Sequence, residues 1–196
     1  MNNTAIIILA AGRAARFGGL KQLQPFQGKT LLQHVIDEAL ATGASPVVVV
    51  TGANAEAISN AVADHRIELI YNEKWTEGKG TGIAAGVRHV VSSFPEMDSV
   101  ILAVCDQPFV TTALFRQLQQ TSVECEKGIV ASAYAGTIGT PVLLSRQYFS
   151  ALLDLQKEEG AKKIIAAHLA DVATVDFPKG EIDIDTKEEY ARWIRE

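Results

Sequence analysis

The feature that most constrains the fold of this chain is the alternation of short apolar runs with amphipathic stretches along nearly all of its 196 residues. The runs are rich in β-branched residues and show little polar alternation, which is typical of strands buried on both faces of a sheet. Strands that alternate with helices predict an α/β fold with a mostly parallel sheet in three α/β/α layers. The predicted strands are Ala5–Leu9, Pro46–Thr51, Ile67–Tyr71, Ser99–Val104, Gly128–Ser132, Pro141–Leu144 and Val172–Val175. The predicted helices cover residues 30–42, 54–64, 80–93, 111–121, 146–155, 160–169 and 186–195.

Composition and charge narrow the class of protein further. Apolar residues make up 47% and charged residues 21%, which is ordinary for a globular chain, and the formal charge of −5 gives no general attraction to nucleic acid or anionic membranes. The apolar stretch Ala5–Ala11 follows no basic segment, and no run approaches the ~18 apolar residues of a membrane helix. We therefore expect one cytoplasmic domain over residues 1–196, without nucleic-acid or membrane partners, in which Cys105 and Cys125 are buried free thiols.

The loops that follow the strands are the candidate binding segments, because ligands of open α/β sheets bind outside the carboxyl ends of the strands. The loop after the first strand has small residues at positions 10–12, which let backbone N–H groups approach a ligand closely. Arg13, Arg16 and Lys21 add three cations to it in a chain that is acidic overall. This loop predicts a phosphate-binding site, although it matches neither the Walker pattern nor the dinucleotide fingerprint.

Two acidic segments predict a metal site. Asp106 ends an apolar strand, where a carboxylate without a partner is costly, so a cation is expected beside it. Oxygen ligands of this kind suit Mg²⁺, which takes one or two protein carboxylates and completes its shell with water and phosphate oxygens. Asp183 and Asp185 would point the same way in an extended stretch, but Asp185 or Thr186 is also a natural N-cap for the last helix. Thr186 and Glu189 predict a capping box there.

Four segments together resemble the molybdenum-cofactor nucleotidyltransferases, the MobA-like NTP transferases. They are LAAGRAARFGGLK from Leu9, CDQP from Cys105, GTPV from Gly139 and IDIDTKEEY from Ile182. Ala11 is similar to the cytidylyltransferase-like branch, since the guanylyltransferase branch more often has Gly there. The resemblance implies a Rossmann-like fold of the nucleotide-diphospho-sugar-transferase type. It also implies Mg²⁺, with Mn²⁺ as the alternative, held by Asp106 and Asp185, with Asp183 in reserve.

The same resemblance assigns further roles. Lys21 and either Arg13 or Arg16 hold the phosphates, and Lys21, Arg16 and Asp106 are the expected catalytic residues. The segment from Asn72 to Gly82 resembles a nucleotide-contacting loop, but Gly82 replaces the usual Ser, so Thr81 supplies the hydroxyl. The expected nucleotide-binding residues are Leu9, Ala10, Ala11, Gly12, Arg13, Lys21, Gly52, Asn72, Gly78 and Thr81.

The activity that the resemblance implies is transfer of CMP from CTP to molybdopterin or its molybdenum form, with release of pyrophosphate, and transient contact with a molybdoenzyme. Guanylyl transfer from GTP to the same cofactor is the nearest alternative, followed by cytidylyl or uridylyl transfer to a sugar or polyol phosphate. Lys162 stands where this branch has Arg, which keeps the charge but loses the fork geometry and alters acceptor recognition. A non-catalytic nucleotide or cofactor carrier is the alternative of another class.

Overall fold

A computed structural model of the chain describes residues 3–62 and 66–193. The strands in these residues are β1 (Thr4–Leu9), β2 (Pro25–Phe26), β3 (Lys29–Thr30), β4 (Val47–Thr51), β5 (Ile67–Tyr71), β6 (Ser99–Val104), β7 (Ile129–Tyr134), β8 (Thr137–Ser145) and β9 (Val172–Asp176). The α-helices are α1 (Leu31–Leu40), α2 (Ala55–Ala61), α3 (Lys79–Ser93), α4 (Thr112–Cys125), α5 (Phe149–Leu153), α6 (Ala161–Ala167) and α7 (Lys187–Trp193). Every predicted strand and helix is confirmed in type. The predicted ends of the second and last helices lie outside the described residues.

The seven predicted strands form one sheet in the order β5-β4-β1-β6-β8-β7-β9. Neighbouring strands run parallel except where β8 lies antiparallel to both β6 and β7. The predicted mostly parallel sheet is therefore confirmed. Because β1, β4, β5 and β6 are parallel to one another, the loops that follow them meet at one edge of the sheet.

The sheet is covered on both faces, as the lack of alternation in its strands predicts. Along β1, Ile6 and Ile8 belong to one apolar cluster with α1, α2 and α4, whereas Ala5 and Ile7 belong to another with α3, α5 and α6. Successive strand residues face opposite sides, so one strand contributes to both cores. The result is the predicted three-layer α/β/α architecture.

Three details differ from the sequence-based expectation. The strands β5 and β9, which stand at the two ends of the strand order, are not buried on both faces: most of their residues are half-buried or exposed, and Tyr71 at the end of β5 is 55% exposed. Cys105 is a buried free thiol as expected, but the expectation is wrong for Cys125, which is exposed at the end of α4. The short β2–β3 hairpin was not predicted, since two-residue strands carry no periodic pattern.

Among the described residues, no helix is both long and apolar enough to cross a membrane.

Candidate active site at the carboxyl edge of the sheet

The centre of the candidate site is a lysine held between two carboxylates. Lys21 lies in a 3₁₀ turn (Lys21–Leu23) of the loop after β1, and only 8% of its side chain is exposed. Its Nζ donates to Asp106 Oδ2 and to Asp185 Oδ1, each at 2.9 Å. Arg16 adds a second cation, because its guanidinium donates to the other oxygen of Asp185 at 2.7 Å. The sequence predicts that these four side chains belong to one site, and the structure brings them together.

Backbone contacts hold the two carboxylates in place. Asp106 follows β6 after one residue, the buried Cys105, and its carbonyl oxygen accepts a hydrogen bond from the N–H of Ile184 at 3.0 Å. Ile182 and Ile184 are buried and anchor the extended segment that carries Asp185. The predicted capping box follows: Glu189 accepts from the N–H of Thr186, and Thr186 Oγ1 accepts from the N–H of Glu189. The cap leaves the Asp185 side chain directed at Lys21.

The electrostatics of the cluster follow from this arrangement. Burial would lower the pKa of Lys21, but the charge and hydrogen bond of Asp106 and the hydrogen bond of Asp185 raise it above its ordinary value of 10.5. Burial would likewise raise the pKa of Asp185, yet Lys21 and Arg16 hold it below 3.8. Lys21 and Asp185 are therefore both charged at neutral pH.

A third carboxylate, Asp183, lies in a different environment. Desolvation first, and then the negative charges of Asp106 and Asp185, raise its pKa to about 6. Lys21 and Lys162 offset part of this effect. Asp183 lines the same cleft as Asp106 without a hydrogen bond to either cation among the described residues. The pKa of Asp183 is thus shifted in the opposite direction to the pKa of Asp185.

A cleft of about 770 Å³ opens beside Asp106 and Asp183. Of the residues expected to bind nucleotide, Leu9, Ala11, Gly12, Asn72 and Gly78 line it. Ala10, Gly52 and Thr81 are not among its lining residues. Ala10 is buried, and its N–H donates to the carbonyl oxygen of Val50. The cleft lining also does not include the charged residues Arg13, Arg16, Lys21 and Asp185. Two of them contact residues that do line it, since Arg13 lies over Trp75 and Lys21 donates to Asp106.

The loop between β5 and α3 uses its polar side chains to stabilise itself. Asn72 Nδ2 donates to Thr81 Oγ1 at 2.9 Å, and this hydroxyl lies 2.8 Å from the carbonyl oxygen of Gly78. Asn72 Oδ1 accepts from the N–H of Lys74 at 3.1 Å. In this structure the Thr81 hydroxyl therefore shapes the loop and lies outside the cleft, unlike the role expected from sequence.

Several residues of the site were not singled out from sequence. Gln22 is 2% exposed, and its Nε2 donates to the carbonyl oxygens of Ala10 and Gly12, which fixes the shape of the loop after β1. The sequence feature that could have identified Gln22 as a site residue is its position directly after Lys21. The cleft is also lined by Trp75, Lys79 and Tyr134, and by Lys162, which the sequence did single out for acceptor recognition. Sequence alone offered no signal for Tyr134. This residue is the last of β7, and the one strand that β7 pairs with in parallel is the edge strand β9.

The donor set at this edge fits a hard divalent cation. The Asp106 and Asp185 oxygens both lie 2.9 Å from the same Lys21 nitrogen, so they converge on one point. Carboxylate oxygens are the ligands that Mg²⁺ and Mn²⁺ share, and Mg²⁺ needs only one or two of them beside substrate phosphates. In residues 3–62 and 66–193 no group of three or more His, Cys, Asp or Glu side chains is arranged as metal ligands. Asp106 and Asp185 are accordingly the residues to test.

Comparison with known proteins places this site in context. The chain is 29% identical over 141 residues to nicotine blue oxidoreductase of Paenarthrobacter nicotinovorans, which covers 71% of this chain and 66% of that protein. It is 26% identical over 164 residues to the bifunctional protein GlmU of Francisella tularensis subsp. novicida, covering 82% of this chain and 34% of GlmU. The chain therefore matches only part of each of these relatives.

Solved structures match over the full length. Rv0371c from Mycobacterium tuberculosis H37Rv superposes with a TM-score of 0.84 at 27% identity, covering 100% of this chain and 99% of that one. A complex of Rv0371c with manganese gives a TM-score of 0.80 at 25% identity, with 99% of each chain covered. The model of the MobA-like NTP transferase domain matches residues 6–172, which run from the third residue of β1 to the first residue of β9 and include Lys21 and Asp106. The chain thus belongs to the MobA-like NTP transferase family.

Proposed function

We propose that this chain is a nucleotidyltransferase that transfers CMP from CTP to molybdopterin or its molybdenum form and releases pyrophosphate. The observation that carries the proposal is the convergence of Lys21, Arg16, Asp106 and Asp185 beside a cleft of about 770 Å³ at the carboxyl edge of the sheet. Family membership supports an NTP as donor. The choice of CTP rests on Ala11, which is similar to the cytidylyltransferase-like branch, and the choice of molybdopterin rests on the resemblance of LAAG, CDQP, GTPV and the closing IDIDT segment to the molybdenum-cofactor nucleotidyltransferases.

The proposed reaction needs positioning and charge neutralisation more than a protein nucleophile. An oxygen of the acceptor's phosphate attacks the α-phosphorus in line and forms the new P–O bond. The bond from the α-phosphorus to the bridging α–β oxygen breaks, and pyrophosphate leaves with that electron pair. A phosphate monoester has its second pKa near ~6 and is largely ionised at neutral pH, so no general base is needed.

The catalytic residues in this proposal are Lys21, Arg16 and Asp106. Lys21 and Arg16 offset negative charge on the triphosphate, where charge builds on the leaving pyrophosphate. Asp106 and Asp185 would hold Mg²⁺, with Mn²⁺ as the alternative that the manganese complex of Rv0371c supports. When bound, the cation neutralises phosphate oxygens and increases the electrophilicity of the α-phosphorus.

The nucleotide is proposed to bind along the loop after β1 and the loop between β5 and α3. The cleft lining supports this for Leu9, Ala11, Gly12, Asn72 and Gly78. Two of the expected residues outside the lining hold lining residues in place: Gly52 packs against Ala11, and the Thr81 hydroxyl accepts a hydrogen bond from Asn72. Ala10 stands in the chain between the lining residues Leu9 and Ala11. A single domain over residues 1–196, a cytoplasmic location and transient contact with a molybdoenzyme stay predictions from the sequence.

Three alternatives lead to different outcomes in experiments. Guanylyl transfer requires GTP, and cytidylyl or uridylyl transfer to a sugar or polyol phosphate requires a different acceptor. A carrier would bind nucleotide or cofactor without releasing pyrophosphate. The charged cluster of Lys21, Asp106 and Asp185 favours an enzyme, because a carrier does not need converging carboxylates at the reacting phosphate.

The first experiment is thermal unfolding with Mg²⁺ and each of CTP, GTP, UTP and ATP. A ligand at ~100 times its dissociation constant adds about 2.7 kcal/mol of stability, which raises the melting temperature of a chain this long by roughly 5–10 °C. We expect this shift with CTP. A shift confined to GTP would move the proposal to guanylyl transfer, and no shift with any NTP would contradict it.

The second experiment measures pyrophosphate release with CTP, Mg²⁺ and molybdopterin. Asp106→Asn is expected to abolish release, because it removes a charged oxygen ligand and the partner of Lys21. Glu96→Gln is the matched control, since Glu96 is exposed and precedes β6 at the opposite edge of the sheet. Normal release by Asp106→Asn would refute the role of Asp106, whereas CTP binding without release by the wild type would favour a carrier.

A further inference from the structure

An exposed arginine lies over a tryptophan ring at the rim of the cleft. The guanidinium carbon of Arg13 is 5.4 Å from the centre of the Trp75 ring. Arg13 belongs to the loop after β1, whereas Trp75 begins a 3₁₀ turn (Trp75–Glu77) after β5. The contact therefore joins the two loops between which the nucleotide is proposed to bind.

Packing and a backbone hydrogen bond fix the position of Trp75. A Cβ atom on Gly52 would come within 2.6 Å of Trp75 Cβ and 2.7 Å of the Ala11 carbonyl oxygen, so only a glycine leaves room for this packing. The N–H of Trp75 also donates to the carbonyl oxygen of Asn72 at 3.2 Å. Trp75 lines the cleft and is half-buried, which makes its ring a fixed platform at the rim.

The arginine on this platform is the cation of its loop that no carboxylate holds. Lys21 is bound by Asp106 and Asp185, and Arg16 is bound by Asp185. Arg13 is exposed, and within residues 3–62 and 66–193 no carboxylate forms an ion pair with it. An exposed cation–π contact is weak, whereas a charge-assisted, two-pronged contact from guanidinium to phosphate is strong. A triphosphate in the cleft would therefore compete successfully with the ring.

We propose that Arg13 is a phosphate clamp that rests on Trp75 in the free protein and moves onto the triphosphate when a nucleoside triphosphate binds. This inference rests on the proposed function, because it takes the nucleotide as the ligand of the cleft. It divides the cations of the loop between two tasks. Lys21 and Arg16 act beside the carboxylates at the reacting centre, where charge builds on the leaving pyrophosphate, and Arg13 binds the polyphosphate as the nucleotide enters.

Tryptophan fluorescence tests the movement directly. The chain has two tryptophans, so Trp193→Phe leaves Trp75 as the only indole. This variant is titrated with CTP and, separately, with inorganic tripolyphosphate, both with Mg²⁺, under excitation at the red edge of the indole band. Both ligands are expected to change the Trp75 emission as the guanidinium leaves the ring. The added substitution Arg13→Ala should remove the change caused by tripolyphosphate.

Steady-state kinetics supply a readout that a purely structural role would not move. Arg13→Ala should raise KM for the NTP about tenfold with kcat nearly unchanged, as expected when a binding contact common to substrate and transition state is lost. Arg13→Lys keeps the positive charge but lacks the planar guanidinium fork, so its KM should lie between the values of the wild type and of Arg13→Ala. Arg88→Ala is the matched control, because Arg88 is an exposed cation on α3 outside the cleft lining.

The outcomes separate the clamp from the proposed function. If CTP is turned over but Trp75 emission stays constant and Arg13→Ala keeps its KM within about twofold, the clamp is refuted and nucleotidyl transfer stands. An emission change that only CTP causes and that survives Arg13→Ala would mean that the base stacks on Trp75, which also refutes the clamp. If tripolyphosphate changes the emission through Arg13 while no NTP is turned over, the clamp stands and the proposed function fails.

Discussion

At the scale of single residues, the charges at the site set how stability depends on pH. The raised pKa of Lys21 contributes stability that is fully present below 10.5 and is lost as pH rises through the folded value. The lowered pKa of Asp185 contributes stability that is present above 3.8 and is lost as pH falls through the folded value. Both contributions are therefore intact over the neutral range, and the cluster of Lys21, Asp106 and Asp185 stabilises the empty site there.

Ionisation of Asp183 lowers the stability of the fold as pH rises, which is opposite to the effect of Asp185. The pKa of Asp183 is raised from 3.8 to about 6, so the wild type loses stability as pH rises from about 4 to about 6, where the unfolded chain ionises first. Asp183→Asn removes this loss. The Asp183 carboxyl group is partly desolvated where it lines the cleft, but the residue as a whole is exposed and solvent screens its charge. We therefore expect a gain of about 0.5–1 kcal/mol at pH 7.5 and almost none near pH 4. Urea unfolding of the wild type and of Asp183→Asn at several pH values measures this gain in the free energy of unfolding.

A gain of equal size at pH 4 and pH 7.5 would contradict this account, because a pH-independent effect does not arise from ionisation. Asp154→Asn is a suitable control, since Asp154 is exposed directly after α5 and is not among the residues that line the cleft.

At the scale of elements, the start of α3 is locked to the segment between α5 and α6. The N–H of Gly80 donates to the carbonyl oxygen of Lys157 at 2.8 Å. A Cβ on Gly80 would lie 2.9 Å from the Glu159 carbonyl oxygen, whereas a Cβ on Gly82 would meet nothing closer than 3.8 Å. The two glycines thus stand two positions apart in the same helical turn, but only Gly82 has room for a side chain.

This contrast predicts opposite effects of the same substitution. Gly80→Ala should destabilise the fold by about 1–2 kcal/mol, because neighbouring backbone must shift. Gly82→Ala should stabilise it by about 0.5–1 kcal/mol, because alanine is the better helix former and fits. Each variant serves as the control for the other in chemical denaturation. Equal effects of both substitutions would show that the contact with residues 156–160 is not tight.

The space at Gly82 also bears on the departure from the family pattern, which has Ser at this position. A Cβ there would approach Asn72 Nδ2, Leu9 and Val50 only at ordinary contact distances. The glycine is therefore not required by packing. No contact in the structure explains why this chain has Gly82.

At the scale of the whole molecule, the strand order predicts a gradient of local stability. Strands β1 and β6 lie inside the sheet with both faces covered, whereas β5 and β9 form its edges. Amides of buried central strands open only in large unfolding events, while edge strands open locally. Hydrogen exchange is expected to be slowest in β1 and β6 and clearly faster in β5 and β9. Equal protection of β5 and β1 would mean that another surface covers the β5 edge.

Much of the fold could be predicted because each element carries its own local signal. The apolar runs of β1 and β6 and the amphipathic pattern of α1 reflect burial that repeats with the period of the element itself. The capping box of Thr186 and Glu189 is likewise written in adjacent residues. Asp106 could be singled out for the same reason, since a carboxylate that ends an apolar strand stands out locally.

What the sequence by itself determined is therefore the set of strands and helices, the loops at the ligand-binding edge and the candidate carboxylates. Only the tertiary structure decided that β5 and β9 are edges, that Thr81 bonds its own loop and that Arg13 rests on Trp75. It also decided that Lys21 pairs with residues 85 and 164 positions away in the chain. Local periodicity reports how a residue is buried within its element. Which distant element it meets depends on the order in which strands pair, and that order is set by the packing of the whole chain.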